Sequence, residues 1–185
     1  MAFTESTMLP LGTTAPEFEL PDTVSGKLMR LSELRSDKAT VVMFLCNHCP
    51  YVIHVNPEIV RVTKDYQAKG VSFIGISSND AVNYPDDAPE KMRPHAKAAG
   101  YTFPYLYDET QDVARAYDAA CTPDFYVFDG TLRLVYRGRL DDSRPKNTNP
   151  LTGTDLRAAL DAVLEEHAVS EVQYPSGGCN LKWKI

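Results

Sequence analysis

The sequence predicts an α/β domain built on a central mixed sheet. Two observations carry this: short apolar, β-branched runs alternate with helix-period segments through the first hundred residues, and two later strand-like runs flank an Asp-Gly pair. With 185 residues, the chain suffices for one domain with a sizeable core and falls short of two ordinary ones.

Residues 40–45, TVVMFL, read as a strand buried on both faces. From Pro50 to Lys69 an apolar stripe of Ile53, Ile59, Val60, Val62 and Tyr66 predicts a helix, interrupted by Pro57 and stopped at Gly70. A second buried strand is expected over 71–77, then a polar loop and a helix over about 88–99 ended by Gly100. After a short helix near 111–118 come 124–130 and 132–140, two strands joined at Asp129-Gly130 as a hairpin, which makes the sheet mixed. Leu156, Ala159, Leu160, Val163 and Leu164 place a helix over 154–167, with Thr154 as its N-cap. The N-terminal FELPDTVSGKLMRLSEL reads as a small hairpin and turn before the core. Residues 168–185 look irregular, yet they hold Trp183 and Cys179 and are expected to be docked.

Composition excludes several functions. A net charge of −6, with no basic run longer than Lys182-Trp183-Lys184, argues against binding nucleic acid. No apolar stretch approaches the roughly 18 residues of a membrane span. The opening MAFTESTMLPLG lacks a basic region followed by an apolar one, so a cytoplasmic setting with reduced thiols is expected. Four cysteines are too few for a disulfide scaffold, and two of them form a CxxC, Cys46 and Cys49.

A thiolate, not a thiol, attacks disulfides and peroxides, and a helix N-terminus stabilises one through its unpaired amides. Proline fits best at the first helical position, so Pro50 makes Cys49 the N-cap and leaves Cys46 in the turn before it. Cys49 is the expected nucleophile. Cys46, three residues away in a tight turn, is a feasible resolving partner. His48 is either a donor to the Cys49 thiolate or a solvated loop residue, and His54 a surface or packing residue. A structural zinc site needs four ligands, and neither a second CxxC nor an HxxxH is present, so no metal and no bound organic cofactor are expected.

FLCNHCPYV after a buried strand, CTPDFYVFDG some seventy residues later, YRGRLDD and a terminal GCNLKWK resemble the CxxC-containing peroxiredoxin-like proteins of the thioredoxin superfamily. The resemblance runs from about residue 10 to 185. It implies a thioredoxin-like fold: a central mixed sheet flanked by helices on both faces, an N-terminal hairpin extension, a core over about 10–167 and a C-terminal tail over 168–185. It aligns Cys49 with the attacking cysteine of thioredoxins and the peroxidatic cysteine of peroxiredoxins, with Pro57 as the kinking proline eight residues on. Thr122-Pro123 resembles the cis-proline loop beside the nucleophile. The chain also departs from the pattern: Val52 stands where thioredoxin has its second cysteine and Met43 where it has a buried carboxylate. Cys46 and Val42 replace the threonine and proline of peroxiredoxins, and Arg137 and Arg139 are only candidates for their arginine. Cys121, beside the proline loop, and Cys179, in the tail, are possible additional redox residues.

The expectation is a thiol-disulfide oxidoreductase, and possible thiol-dependent peroxidase, in which Cys49 attacks a protein or small-molecule disulfide or a peroxide and Cys46 resolves the intermediate. Reductant would come from a thioredoxin or glutathione system. The rivals are a Cu(I)-handling thioredoxin-like protein, with His167 as a poorly matching third ligand, and a non-catalytic interaction domain.

Overall fold

The computed structural model describes residues 3–185. In chain order the elements are β1 (Phe3–Glu5), β2 (Glu19–Pro21), β3 (Leu28–Arg30), α1 (Leu31–Leu34), β4 (Ala39–Phe44), α2 (Pro50–Gln67), β5 (Ser72–Ser77) and α3 (Pro89–Ala99). There follow β6 (Tyr105–Tyr107), α4 (Asp112–Ala116), β7 (Cys121–Thr122), β8 (Asp124–Asp129), β9 (Leu134–Gly138), α5 (Thr154–Leu164) and β10 (Gly177–Asn180).

The main sheet has the order β6-β5-β4-β8-β9. β4 pairs parallel with β5 and antiparallel with β8, so the sheet is mixed, as the sequence predicts. Every residue of β4 is buried because both faces are covered. Alternation along the strand sends Val41 and Met43 into a core with α2, α3 and α5, and Val42 and Phe44 into a second core with α1 and α4. Each such apolar side chain taken from water contributes about 1.5–3 kcal/mol. β2 and β3 form the expected N-terminal hairpin.

The β8–β9 hairpin forms at Asp129-Gly130 as expected, closed by Leu132 N donating to the Asp129 carbonyl at 3.0 Å. Asp129 Oδ1 accepts from the amides of Thr131 at 2.8 Å and Arg133 at 3.0 Å, and Leu132 takes the left-handed conformation. Gly130 also permits a close approach: a Cβ there would lie 2.1 Å from the Asp37 carbonyl oxygen. The N-cap of α5 is Gly153, with φ 67°, rather than Thr154.

The tail expected to be irregular contains β10, which lies between β1 and β7 in a separate three-stranded sheet. Its two glycines read locally as loop, yet they allow close packing. A Cβ on Gly178 would meet the Thr122 carbonyl oxygen at 2.0 Å, and one on Gly177 would meet the Phe3 ring at 2.5 Å. The tail is docked, but through Leu181, which is buried, and not through Trp183, whose ring lies under Arg115 with 38% of its surface exposed.

Candidate active site

β4 ends at Phe44, and the chain turns through Cys46-Asn47-His48 into α2. Cys49 is the N-cap in extended conformation, with φ −70° and ψ 124°, and Pro50 starts the helix. Pro57 lies within α2, where it removes one ladder hydrogen bond. The Thr122-Pro123 bond is cis. Thr122 touches both cysteines of the motif: its Oγ1 is 3.3 Å from Cys46 Sγ and its carbonyl oxygen 3.5 Å from Cys49 Sγ. A third thiol completes the cluster, because Cys179 Sγ lies 2.7 Å from Cys49 Sγ. All four cysteines are unbridged and buried.

The thiols differ sharply in acidity. Cys49 is lowered to about 5, first by a hydrogen bond from the Cys46 thiol, then by one from the Cys179 thiol and by the backbone amides of Val52 and Cys179, all against the penalty of burial. Cys46 is pushed well up by donating to Cys49, by burial and by the nearby Asp87 carboxylate. Burial, then its hydrogen bond to Cys49, raises Cys179 to about 12. One sulfur therefore carries the negative charge and two neighbours hold protons.

Cys121 does not join the cluster. The β7–β10 register sets Thr122 opposite Cys179 and Cys121 opposite Asn180, so the Cys121 side chain takes the other face. Its Sγ lies 3.8 Å from the Pro123 carbonyl oxygen, and burial followed by the Asp124 charge raises its pKa.

His48 turns from Cys49 to Asp87, so of its two expected roles the donor to the nucleophile is not the one the structure shows. Its Nδ1 lies 2.7 Å from Asp87 Oδ2 without the alignment of a regular hydrogen bond. Its ring stacks on Tyr84. Asp87 is fully buried and accepts at 2.8 Å from both the Asn47 amide and Asn79 Nδ2. Cys46 Sγ, a His48 ring nitrogen and an Asp87 oxygen lie within 4.8 Å of one another, so the imidazole lies near the first cysteine of the motif. This arrangement was missed in the sequence because Asp87 sits in a polar loop forty residues away. His54 bonds Ser143 Oγ at 2.8 Å, and His167 is exposed beside Glu165.

Both candidate arginines bond neighbouring groups. Arg137 donates to the Leu9 carbonyl and Gln173, and Arg139 pairs with Asp155. Arg144, not singled out by sequence, lies with Tyr51 and Pro123 around a small cavity by the proline loop.

Asp124 follows the cis-proline, fully buried, and accepts from Ser6 Oγ at 2.7 Å and Tyr126 Oη at 3.0 Å. Burial raises its carboxyl to about 7 despite those bonds. The unfolded chain releases this proton near the ordinary value of about 3.9, so the folded state binds it more tightly between those values. Stability attributable to this group falls as pH rises through that window. Asp124→Asn is expected to gain stability relative to the wild type as pH is raised from 4 to 7; parallel melting profiles across that range would refute this.

Residues 11–137 match the AhpC/TSA family. The chain belongs to that family. Thiol-disulfide oxidoreductase ResA of Geobacillus kaustophilus is 29% identical to this AhpC/TSA protein over 140 residues, 75% of each chain. The crystal structure of an uncharacterized conserved protein from Geobacillus kaustophilus is 60% identical, with a TM-score of 0.98 over 100% of this chain and 97% of that one. The peroxidoxin BcpB of Mycobacterium tuberculosis, 22% identical, superposes with a TM-score of 0.61 over 84% of this chain and 96% of its own, a likeness of fold alone. The AhpC/TSA chain thus has a thioredoxin-like fold. Among its described residues no helix is long and apolar enough to cross a membrane.

Proposed function

We propose that this AhpC/TSA protein is a thiol-disulfide oxidoreductase in which Cys49 is the nucleophile and Cys46 the resolving thiol. The observation that carries this is a buried sulfur at a helix N-terminus, lowered to about 5, with the Cys46 thiol as its strongest hydrogen-bond donor.

The Cys49 thiolate attacks one sulfur of a protein or low-molecular-weight disulfide, forming a mixed disulfide and releasing the other sulfur as a thiolate. Cys46 then attacks Cys49 Sγ, the Cys46–Cys49 bond forms, and the second substrate sulfur leaves. Cys46 must lose its proton to do so, and the His48–Asp87 pair beside it is the group placed to take it. A thioredoxin or glutathione system would return the two electrons. Hydroperoxides are a second substrate class, reduced less efficiently, because Cys46 stands where a peroxide-activating threonine would and Arg137 and Arg139 are committed elsewhere.

Stopped-flow oxidation of the reduced protein by a disulfide and by hydrogen peroxide, followed by mass mapping, tests this reading. The disulfide is expected to react faster and to leave a Cys46–Cys49 bond. No reaction with either oxidant beyond that of a free thiol would end the assignment.

A further inference from the structure

The nucleophile is covered by the chain's own C-terminal strand, in a pose suited to exchange. β10 runs antiparallel to β7 with Cys179 directly opposite Thr122, the residue whose carbonyl oxygen lies 3.5 Å from Cys49 Sγ. That register delivers Cys179 Sγ to 2.7 Å from Cys49 Sγ. The glycine before Cys179 permits it, since any side chain at position 178 would collide with the Thr122 carbonyl. β1 pairs with the far edge of β10, and Leu181 N donates to the Ala120 carbonyl at 3.0 Å, so the strand is held from both sides. Cys179 also lies outside the residues that match the family.

We propose that Cys179 is a third redox-active cysteine and that Gly177–Asn180 is a built-in exchange strand, occupying the edge of β7 where an external polypeptide thiol would pair. The inference rests on Cys49 being the nucleophile, as proposed above. With hydrogen peroxide as oxidant, the Cys49 thiolate attacks one peroxide oxygen, the O–O bond breaks, hydroxide leaves, and Cys49 becomes a sulfenic acid. Cys179 then attacks Cys49 Sγ; the Cys49–Cys179 bond forms, the S–O bond breaks, and the Cys179 proton leaves with the hydroxyl as water. Cys46 next attacks Cys49 Sγ and displaces Cys179, which takes up the proton Cys46 gives away.

The test uses Cys46→Ser and one equivalent of hydrogen peroxide. Of its three remaining thiols only Cys121 is expected to stay alkylatable, with Cys49 and Cys179 joined within one chain. A Cys49 sulfinic acid, or a Cys49-linked dimer with Cys179 still alkylatable, would overturn the proposal. If in addition the wild type forms Cys46–Cys49 normally, the proposed function survives; if Cys49 is unmodified in both proteins, both readings fall. Gly178→Val gives an independent check that keeps all four cysteines. By forcing β10 off β7 it is expected to speed iodoacetamide labelling of native Cys49 at least tenfold, and an unchanged labelling rate would count decisively against the strand as its cover.

Discussion

Cys49→Ser abolishes turnover, with a loss of more than about a thousandfold expected. A serine hydroxyl at the same N-cap stays protonated, and its oxygen cannot form a disulfide, so neither the attack nor the resolution step has a substitute. The wild-type pH profile should carry the same signature. With Cys49 lowered to about 5, alkylation of this thiol should be flat through neutral pH and fall about tenfold per unit only below that value. The reduced protein should also lose stability on acidification. A folded-state pKa below the unfolded value of about 8.5 contributes stability that is complete above the unfolded value and is lost as pH falls toward 5. A serine variant with more than a tenth of wild-type turnover would remove Cys49 from the mechanism.

Asp87→Ala is expected to cost about 3–5 kcal/mol of stability, the largest effect of any single polar truncation near the site. Asp87 is fully buried and accepts from the Asn47 amide and Asn79 Nδ2, with the His48 ring beside it, so its removal strands two buried donors together. The damage reaches both ends of the site. Asn79 Oδ1 also accepts from the Lys182 amide at 2.9 Å, just beyond β10, and Asn47 begins the turn between the two cysteines. A second readout separates charge from packing. The Asp87 carboxylate helps to raise Cys46, so Asp87→Asn, which keeps much of the shape, should lower the pH at which Cys46 is alkylated. Chemical denaturation and thiol-labelling profiles measure the two effects. A loss under 1 kcal/mol together with an unshifted Cys46 profile would show that the carboxylate neither braces the turn nor acts on the thiol.

The main sheet, α2 and the position of Cys49 were legible in the sequence because each is written in neighbouring residues. TVVMFL reads as a strand buried on both faces, and a proline at position 50 fits best at the first turn of a helix, which makes the preceding cysteine the cap. The α5 cap was misread for the opposite reason. Thr154 carries the usual local signal, but the left-handed Gly153 takes that position.

By itself the sequence determined which sulfur sits at the helix start and that Cys46 stands close behind it. Tertiary structure alone decided which groups surround them. His48 is adjacent in sequence to Cys49 yet turns to Asp87, while Cys179, 130 residues away, is brought to 2.7 Å. A strand of four residues containing two glycines has almost no propensity of its own. β10 exists because β1 and β7 offer unpaired edges on either side and because its glycines make room for the Thr122 carbonyl and the Phe3 ring, a condition that no local pattern encodes.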